Sequence, residues 1–67
     1  MIKCHLSKIC GERRLKITKI AEDTGISRTT LTAIYYEKGK SVTFEVMDKL
    51  CKYLKVSLHE LFEHIED

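Results

Sequence analysis

The feature that most restricts this chain is the run from Ile20 to Ile34. Ile20, Ala21, Thr24, Gly25, Ile26, Leu31 and Ile34 fall at the spacing of two short helices packed through a tight turn. Residues three and four apart share a helix face, so Ile20, Ala21 and Thr24 point the same way. A small residue at Ala21 lets two backbones approach closely. Gly25 is the corner, because a left-handed conformation stops a helix and glycine enters that region without steric cost. Ile26 tucks inward behind the turn, and Ser27 can cap the next helix by accepting a hydrogen bond from a backbone N–H two or three residues on. In that next helix Leu31 and Ile34 point inward, while Arg28, Thr29, Thr32 and Ala33 form the opposite face. The pattern reads as a helix-turn-helix whose outer face is slim enough to enter a DNA groove and can still hydrogen-bond.

Sixty-seven residues make one domain, 1–67, near the lower size limit for a core that folds without staples. A hydrophobic content of 43%, no proline and three glycines suit a compact all-helical bundle and exclude a disordered chain. No apolar run reaches the roughly 18 residues that span a bilayer, and MIKCHLSKIC lacks the uninterrupted apolar stretch of a signal peptide. The expected location is the cytoplasm, with no membrane partner. Cys4, Cys10 and Cys51 form an odd set without a CxxC pair, which fits free thiols in a reducing compartment.

The net charge of +2 conceals an asymmetry. Up to Val42 there are nine Lys or Arg against four acids, a balance of +5, whereas from Thr43 to Asp67 there are three against six, a balance of −3. The half that holds the helix-turn-helix is the basic one. A positive face attracts phosphates and an acidic far end repels them, which favours one docking orientation. Charge alone carries no sequence information, and two ordinary solvated surfaces would look the same.

Ile2, Leu6, Ile9 and Cys10 predict a first helix from about Lys3 to Arg13. A second is expected over Ile17 to Thr24 and a third from Ser27 to near Tyr36, followed by a polar connection, Glu37 to Ser41. Thr43 can cap a fourth helix with an inward face of Met47, Leu50, Cys51 and Leu54, ending near Lys55. Ser57 and Glu60 form a capping box, so a fifth helix begins at Leu58, with Leu58, Leu61, Phe62 and Ile65 along its buried side. The alternation of Ile2, Cys4 and Leu6, and of Val42, Phe44 and Val46, allows a short strand pair between those segments as a minor feature. The fold class is therefore all-α, a five-helix bundle.

The stretch ITKIAEDTGISRTTLTAI, Ile17 to Ile34, resembles the helix-turn-helix of the phage Cro and lambda-repressor superfamily, also called the Xre type. Leu6, Ile9 and Leu15 match that family's first helix, and DKLCKYLKVSLHELF, Asp48 to Phe62, resembles its fourth and fifth, so the likeness covers nearly the whole chain. It implies a lambda-repressor-like bundle and a DNA-binding transcription regulator, a repressor in many members. Three departures stand out. Lys16 and Ile17 replace a common capping Thr or Ser and a phosphate-touching Gln. Arg14 replaces a helix-terminating Gly. Tyr36 and Glu37 replace an Asn-Gly pair, which allows the third helix to run on toward Gly39.

By that resemblance and the exposed-face geometry, Arg28, Thr29, Thr32 and Ala33 are the base-reading candidates. Arg28 leads them because its guanidinium fork can make two bonds to guanine, while Thr29, Thr32 and Ala33 can meet a thymine methyl. The plain alternative for Arg28 is a phosphate contact or a salt bridge to Glu22 or Asp23. Thr18, Lys19, Ser27, Thr30, Tyr36, Lys38, Lys40 and Ser41 are the phosphate candidates, since hydroxyls, ammoniums and helix N-termini suit anions. Family members usually bind double-stranded DNA as homodimers, with two recognition helices about 34 Å apart on a near-palindromic site. Phe62, Ile65 and Leu58 are candidates for that contact. No catalytic set, phosphate loop or cofactor motif is present, so no enzyme and no cofactor are expected. His5, His59, His64 and Cys4 lack metal-site spacing. The competing function is a protein-interaction module, such as an antitoxin-like or adaptor protein.

Overall fold

The computed structural model describes residues 1–66. In chain order the elements are β1 (Ile2–Cys4), α1 (Leu6–Arg13), α2 (Ile17–Thr24), α3 (Arg28–Tyr35), α4 (Phe44–Leu54), α5 (Leu58–Leu61) and β2 (Phe62–His64). The helix-turn-helix lies where the spacing puts it. Gly25 ends α2 at φ 79°, and its N–H donates to the Ala21 carbonyl. The Thr24 hydroxyl donates to the Ile20 carbonyl and accepts from the Ile26 N–H, which closes the turn from within. Ser27 caps α3 by accepting from the Thr30 N–H at 3.1 Å, and Thr43 caps α4 by accepting from the Val46 N–H at 3.1 Å.

One apolar cluster holds these pieces together. Leu6, Ile20, Leu31, Leu50, Leu54 and Leu61 are fully buried, and Ile9, Cys10, Ile26 and Ile34 complete the centre with Cys4. No polar or charged residue is buried among the described residues. Each buried aliphatic side chain contributes on the order of 1.5–3 kcal/mol relative to exposure. The helix α3 packs against α1 and α2, and α4 packs against α2 and α5, so the outward aim of α3 is set from behind by Leu31 and Ile34.

The two chain ends depart from the expected helices. Ile2–Cys4 is a strand, so α1 begins at Leu6 rather than at Lys3, and α5 is a single turn. β1 pairs antiparallel with β2, Ile2 opposite His64 and Cys4 opposite Phe62, not with the Val42–Val46 segment. Flanking bonds extend the pairing: the His5 N–H donates to Leu61 and the Ile65 N–H to Met1, both at 2.8 Å. Leu58, Leu61, Phe62 and Ile65 do have helical spacing. Backbone pairing with the N-terminal strand overrides it, because each segment supplies the partners that the other lacks. Leu58 is consequently exposed, not part of a buried stripe. Phe44 and Val46, expected as alternating strand residues, belong to the capped α4. Met47 and Cys51 on the inward side of α4 are half-buried, behind the fully covered Leu50 and Leu54.

Three helices stop on a left-handed residue that is not glycine: Arg14 at φ 53°, Glu37 at φ 56° and Lys55 at φ 57°. After α1 the Leu15 N–H donates to Cys10 and the Arg14 N–H to Gly11, and after α3 the Lys38 N–H donates to Ala33 and the Glu37 N–H to Ile34. This double bonding is the Schellman arrangement. It ends α3 at Tyr35, short of Gly39. A Cβ in the left-handed region costs about 1–2 kcal/mol, and the extra backbone freedom of glycine offsets part of that relief. Lys55→Gly is therefore expected to stabilise the fold by about 0.5–1 kcal/mol and to raise Tm by about 4 °C in a thermal melt. An unchanged or lower Tm would count against the account of this helix stop.

Candidate nucleic-acid interface

The outer face of α3 follows from its cap. Arg28, directly after Ser27, begins the helix, and Arg28, Thr29 and Thr32 are exposed while Leu31 and Ile34 point into the core. Ala33 is half-buried, because the chain returns over it: a Cβ added at Gly39 would lie 3.4 Å from the Ala33 Cβ. The side chains of Thr29 and Thr32 make no hydrogen bond among the described residues, so their hydroxyls face water. Arg28 likewise has no partner among the described residues. Of the two acids that could have claimed it, Asp23 already accepts from the Tyr53 hydroxyl and faces the Lys19 ammonium at 3.4 Å.

The phosphate candidates fall into three groups. Ser27 and Thr30 are joined to each other, the Ser27 hydroxyl donating to the Thr30 hydroxyl at 2.8 Å, so they serve the cap first. Thr18 and Lys19 are exposed on the first turn of α2, where Lys16 supplies no side-chain cap, and Lys19 is drawn toward Asp23. Tyr36, Lys38, Lys40 and Ser41 are exposed after α3. Tyr36 is 59% exposed and meets the Tyr35 ring edge-on, the centroids 4.9 Å apart. Lys38 and Lys40 make no ion pair among the described residues, whereas on α4 Lys49 and Lys52 are each paired with the acid one turn earlier, Glu45 and Asp48. Pairing along α4 leaves the loop after α3 as an unneutralised basic segment beside the exposed face.

Several positioning contacts carry no short-range sequence signal. The Glu37 carboxylate accepts from the Cys4 N–H at 2.8 Å, which ties the end of α3 to β1. The Arg13 guanidinium donates to the Leu54 carbonyl, fastening α1 to the end of α4. His5 and Glu63 meet at 2.7 Å across the strand pair. The residues in these pairs lie 33 to 58 positions apart, beyond any periodicity. The Ser57–Glu60 box was legible: the Glu60 carboxylate accepts from the Ser57 N–H at 3.0 Å and from its hydroxyl at 2.8 Å, which holds that carboxyl below its ordinary value.

Burial pushes the Cys4 and Cys10 thiols up, and Cys51 moves the same way, so none is activated toward the thiolate. No group of three His, Cys, Asp or Glu side chains among the described residues could hold a metal ion. No helix among them is long and apolar enough to cross a membrane.

A family model for the Cro/C1-type HTH DNA-binding domain matches residues 5–67. No curated protein matches the chain.

The Tyr53 hydroxyl, with Lys19 beside it, holds the Asp23 carboxyl below its ordinary value. A carboxyl depressed in the folded state adds stability above its unfolded pKa, and that contribution is lost as pH falls through the folded value. Tyr53→Phe is expected to move the Asp23 titration back up and to reduce the loss of stability on acidification. Carboxyl NMR titration and urea melts across the acid range check this, and an unmoved Asp23 titration would contradict it.

Proposed function

We propose, since the chain belongs to the Cro/C1-type helix-turn-helix DNA-binding domain family, that residues 1–67 are one sequence-specific DNA-binding unit. It regulates transcription, as a repressor, by placing α3 in the major groove. The observation that carries the reading is the condition of Arg28, exposed at the start of α3 with no partner among the described residues. An unpaired guanidinium at the leading end of a groove-sized helix is suited to the O6 and N7 atoms of guanine, because its fork makes two parallel bonds there. Thr29 and Thr32 add hydroxyls and methyls for neighbouring bases, and Ala33 offers a smaller contact from its half-covered place.

Thr18 and Lys19 on α2, Ser27 and Thr30 at the cap, and Tyr36, Lys38, Lys40 and Ser41 after α3 hold the phosphates and set register. Phosphate contacts supply most of the non-specific affinity and its salt dependence, whereas base contacts supply the selection. One recognition helix reads only a few base pairs. Two copies related by a two-fold axis, reading half-sites about 34 Å apart, complete the site. The unit acts by binding, not by catalysis, and works in the cytoplasm, where it represses by occupying its operator against other proteins.

Selection from a randomised duplex pool is expected to enrich a near-palindromic motif. On that motif Arg28→Ala should weaken binding by about 1–3 kcal/mol and relax preference at one base pair of each half-site. Lys38→Ala should weaken all sequences alike and reduce the salt slope by about 1 per protomer. A pool that shows no enrichment would overturn the reading.

A further inference from the structure

Along an antiparallel strand pair, successive residues alternately turn their backbone groups toward the partner strand and away from it. The His5 N–H donates to Leu61 and the Ile65 N–H to Met1, so the odd-numbered residues at the start of the chain face β2. Cys4 therefore faces away. Its N–H has no place in the ladder, and because Cys4 is only 8% exposed the donor needs a partner from the protein. That partner is the Glu37 carboxylate, 2.8 Å away in space and 33 positions away in the chain. A charged acceptor makes this bond stronger than a neutral one would. Cys4 is also a fixed point, since β1 is bonded to β2 on either side of it and its side chain lies in the core cluster.

Glu37 itself stands in an exposed run, between Tyr36 and the segment from Lys38 to Ser41. An acid there repels phosphate, and the stop of α3 does not require one. The left-handed turn is made by backbone bonds, from the Glu37 N–H to Ile34 and from the Lys38 N–H to Ala33. What the carboxylate adds is the tie to β1. We propose that Glu37 is a positioning residue for DNA binding: held on the Cys4 N–H, it places the segment that follows it where Lys38, Lys40 and Ser41 meet the phosphates. The strand pair at the chain ends thereby acts on the DNA face without touching DNA. Ordering a loop and its long side chains on binding costs conformational entropy, and a loop tied down beforehand has less of it to lose. Phosphates are alike at every base pair, so the tie raises affinity for all duplexes and leaves selection to α3. This role rests on the DNA-binding reading above and deepens it.

The test compares two variants of the full chain that remove the same charge. Glu37→Gln keeps an acceptor oxygen at the same reach, whereas Glu37→Asn is one methylene shorter and falls short of the Cys4 N–H. Asparagine tolerates the left-handed region, so the stop of α3 survives, and a circular dichroism melt checks folding. Glu37→Gly, which suits the stop and has no acceptor, should match Glu37→Asn. Hydrogen exchange at the Cys4 amide reads the tie, and binding to the enriched duplex and to an unrelated duplex reads its consequence. Glu37→Gln is expected to keep the amide protected and to bind at least as tightly as the wild type. Glu37→Asn is expected to lose the protection and to bind both duplexes about 5- to 10-fold more weakly than Glu37→Gln, with the ratio between them unchanged. If Glu37→Asn keeps the amide protected, or loses the protection and binds as well as Glu37→Gln, the positioning role is overturned and the DNA reading stands. Weakening confined to the enriched duplex also overturns it, because base reading is then what changed. A wild type that binds no duplex, with the Cys4 amide still protected, ends the DNA reading and the positioning role together.

Discussion

Everything on the outer face depends on Leu31 and Ile34 being pressed into the core from α3. Those two residues, with Ile20 and Ile26 on either side of the Gly25 corner, fix how α3 projects from the molecule. The opposite face is then exposed by default, since a helix with one face buried must turn the other to water. Two side-chain oxygens complete the corner. Thr24 closes the turn and Ser27 opens the next helix, so the bend between α2 and α3 is held by local hydrogen bonds as well as by burial. With no buried charge among the described residues, the core is a simple apolar contact among six fully covered aliphatic side chains and their neighbours.

The electrostatics sort the cations more finely than the charge count does. Lys49 and Lys52 are paired within α4, Lys19 faces Asp23, and Arg13 is used on the Leu54 carbonyl. Surface pairs of this kind contribute little to stability, roughly 0–1 kcal/mol. Among the described residues Arg28, Lys38 and Lys40 make no ion pair, and neither do Lys3, Lys8, Arg14, Lys16 and Lys55. Arg28 begins α3 while Lys38 and Lys40 follow its last turn, so unpaired cations flank the exposed face of that helix at both ends.

The loop after α3 illustrates how a sequence departure is absorbed. Tyr36 and Glu37 replace the expected Asn-Gly, yet Glu37 enters the left-handed region and stops the helix as a glycine would. Its carboxylate gains the Cys4 N–H, a partner that a glycine could not supply. Arg14 and Lys55 adopt the same conformation after α1 and α4. Strain at each stop is balanced by the carbonyls that the turn satisfies.

What the sequence determined by itself was the local and the periodic: the bounds of α2, the corner at Gly25, the caps at Ser27 and Thr43, the Ser57–Glu60 box, and the division of α3 into an inner and an outer face. These rest on interactions within four residues, which a linear pattern encodes. Only the tertiary structure decided the ends. Phe62–His64 has the spacing of a helix and becomes a strand, because Ile2–Cys4, about sixty residues away, offers backbone partners that a longer α5 could not use. The tertiary structure also decided that Glu37 holds β1, that Tyr53 holds Asp23, and that a groove opens between the strand pair and the end of α3. Each of these joins segments far apart in the chain, and such pairings are fixed by packing, not by the spacing of residues along one element.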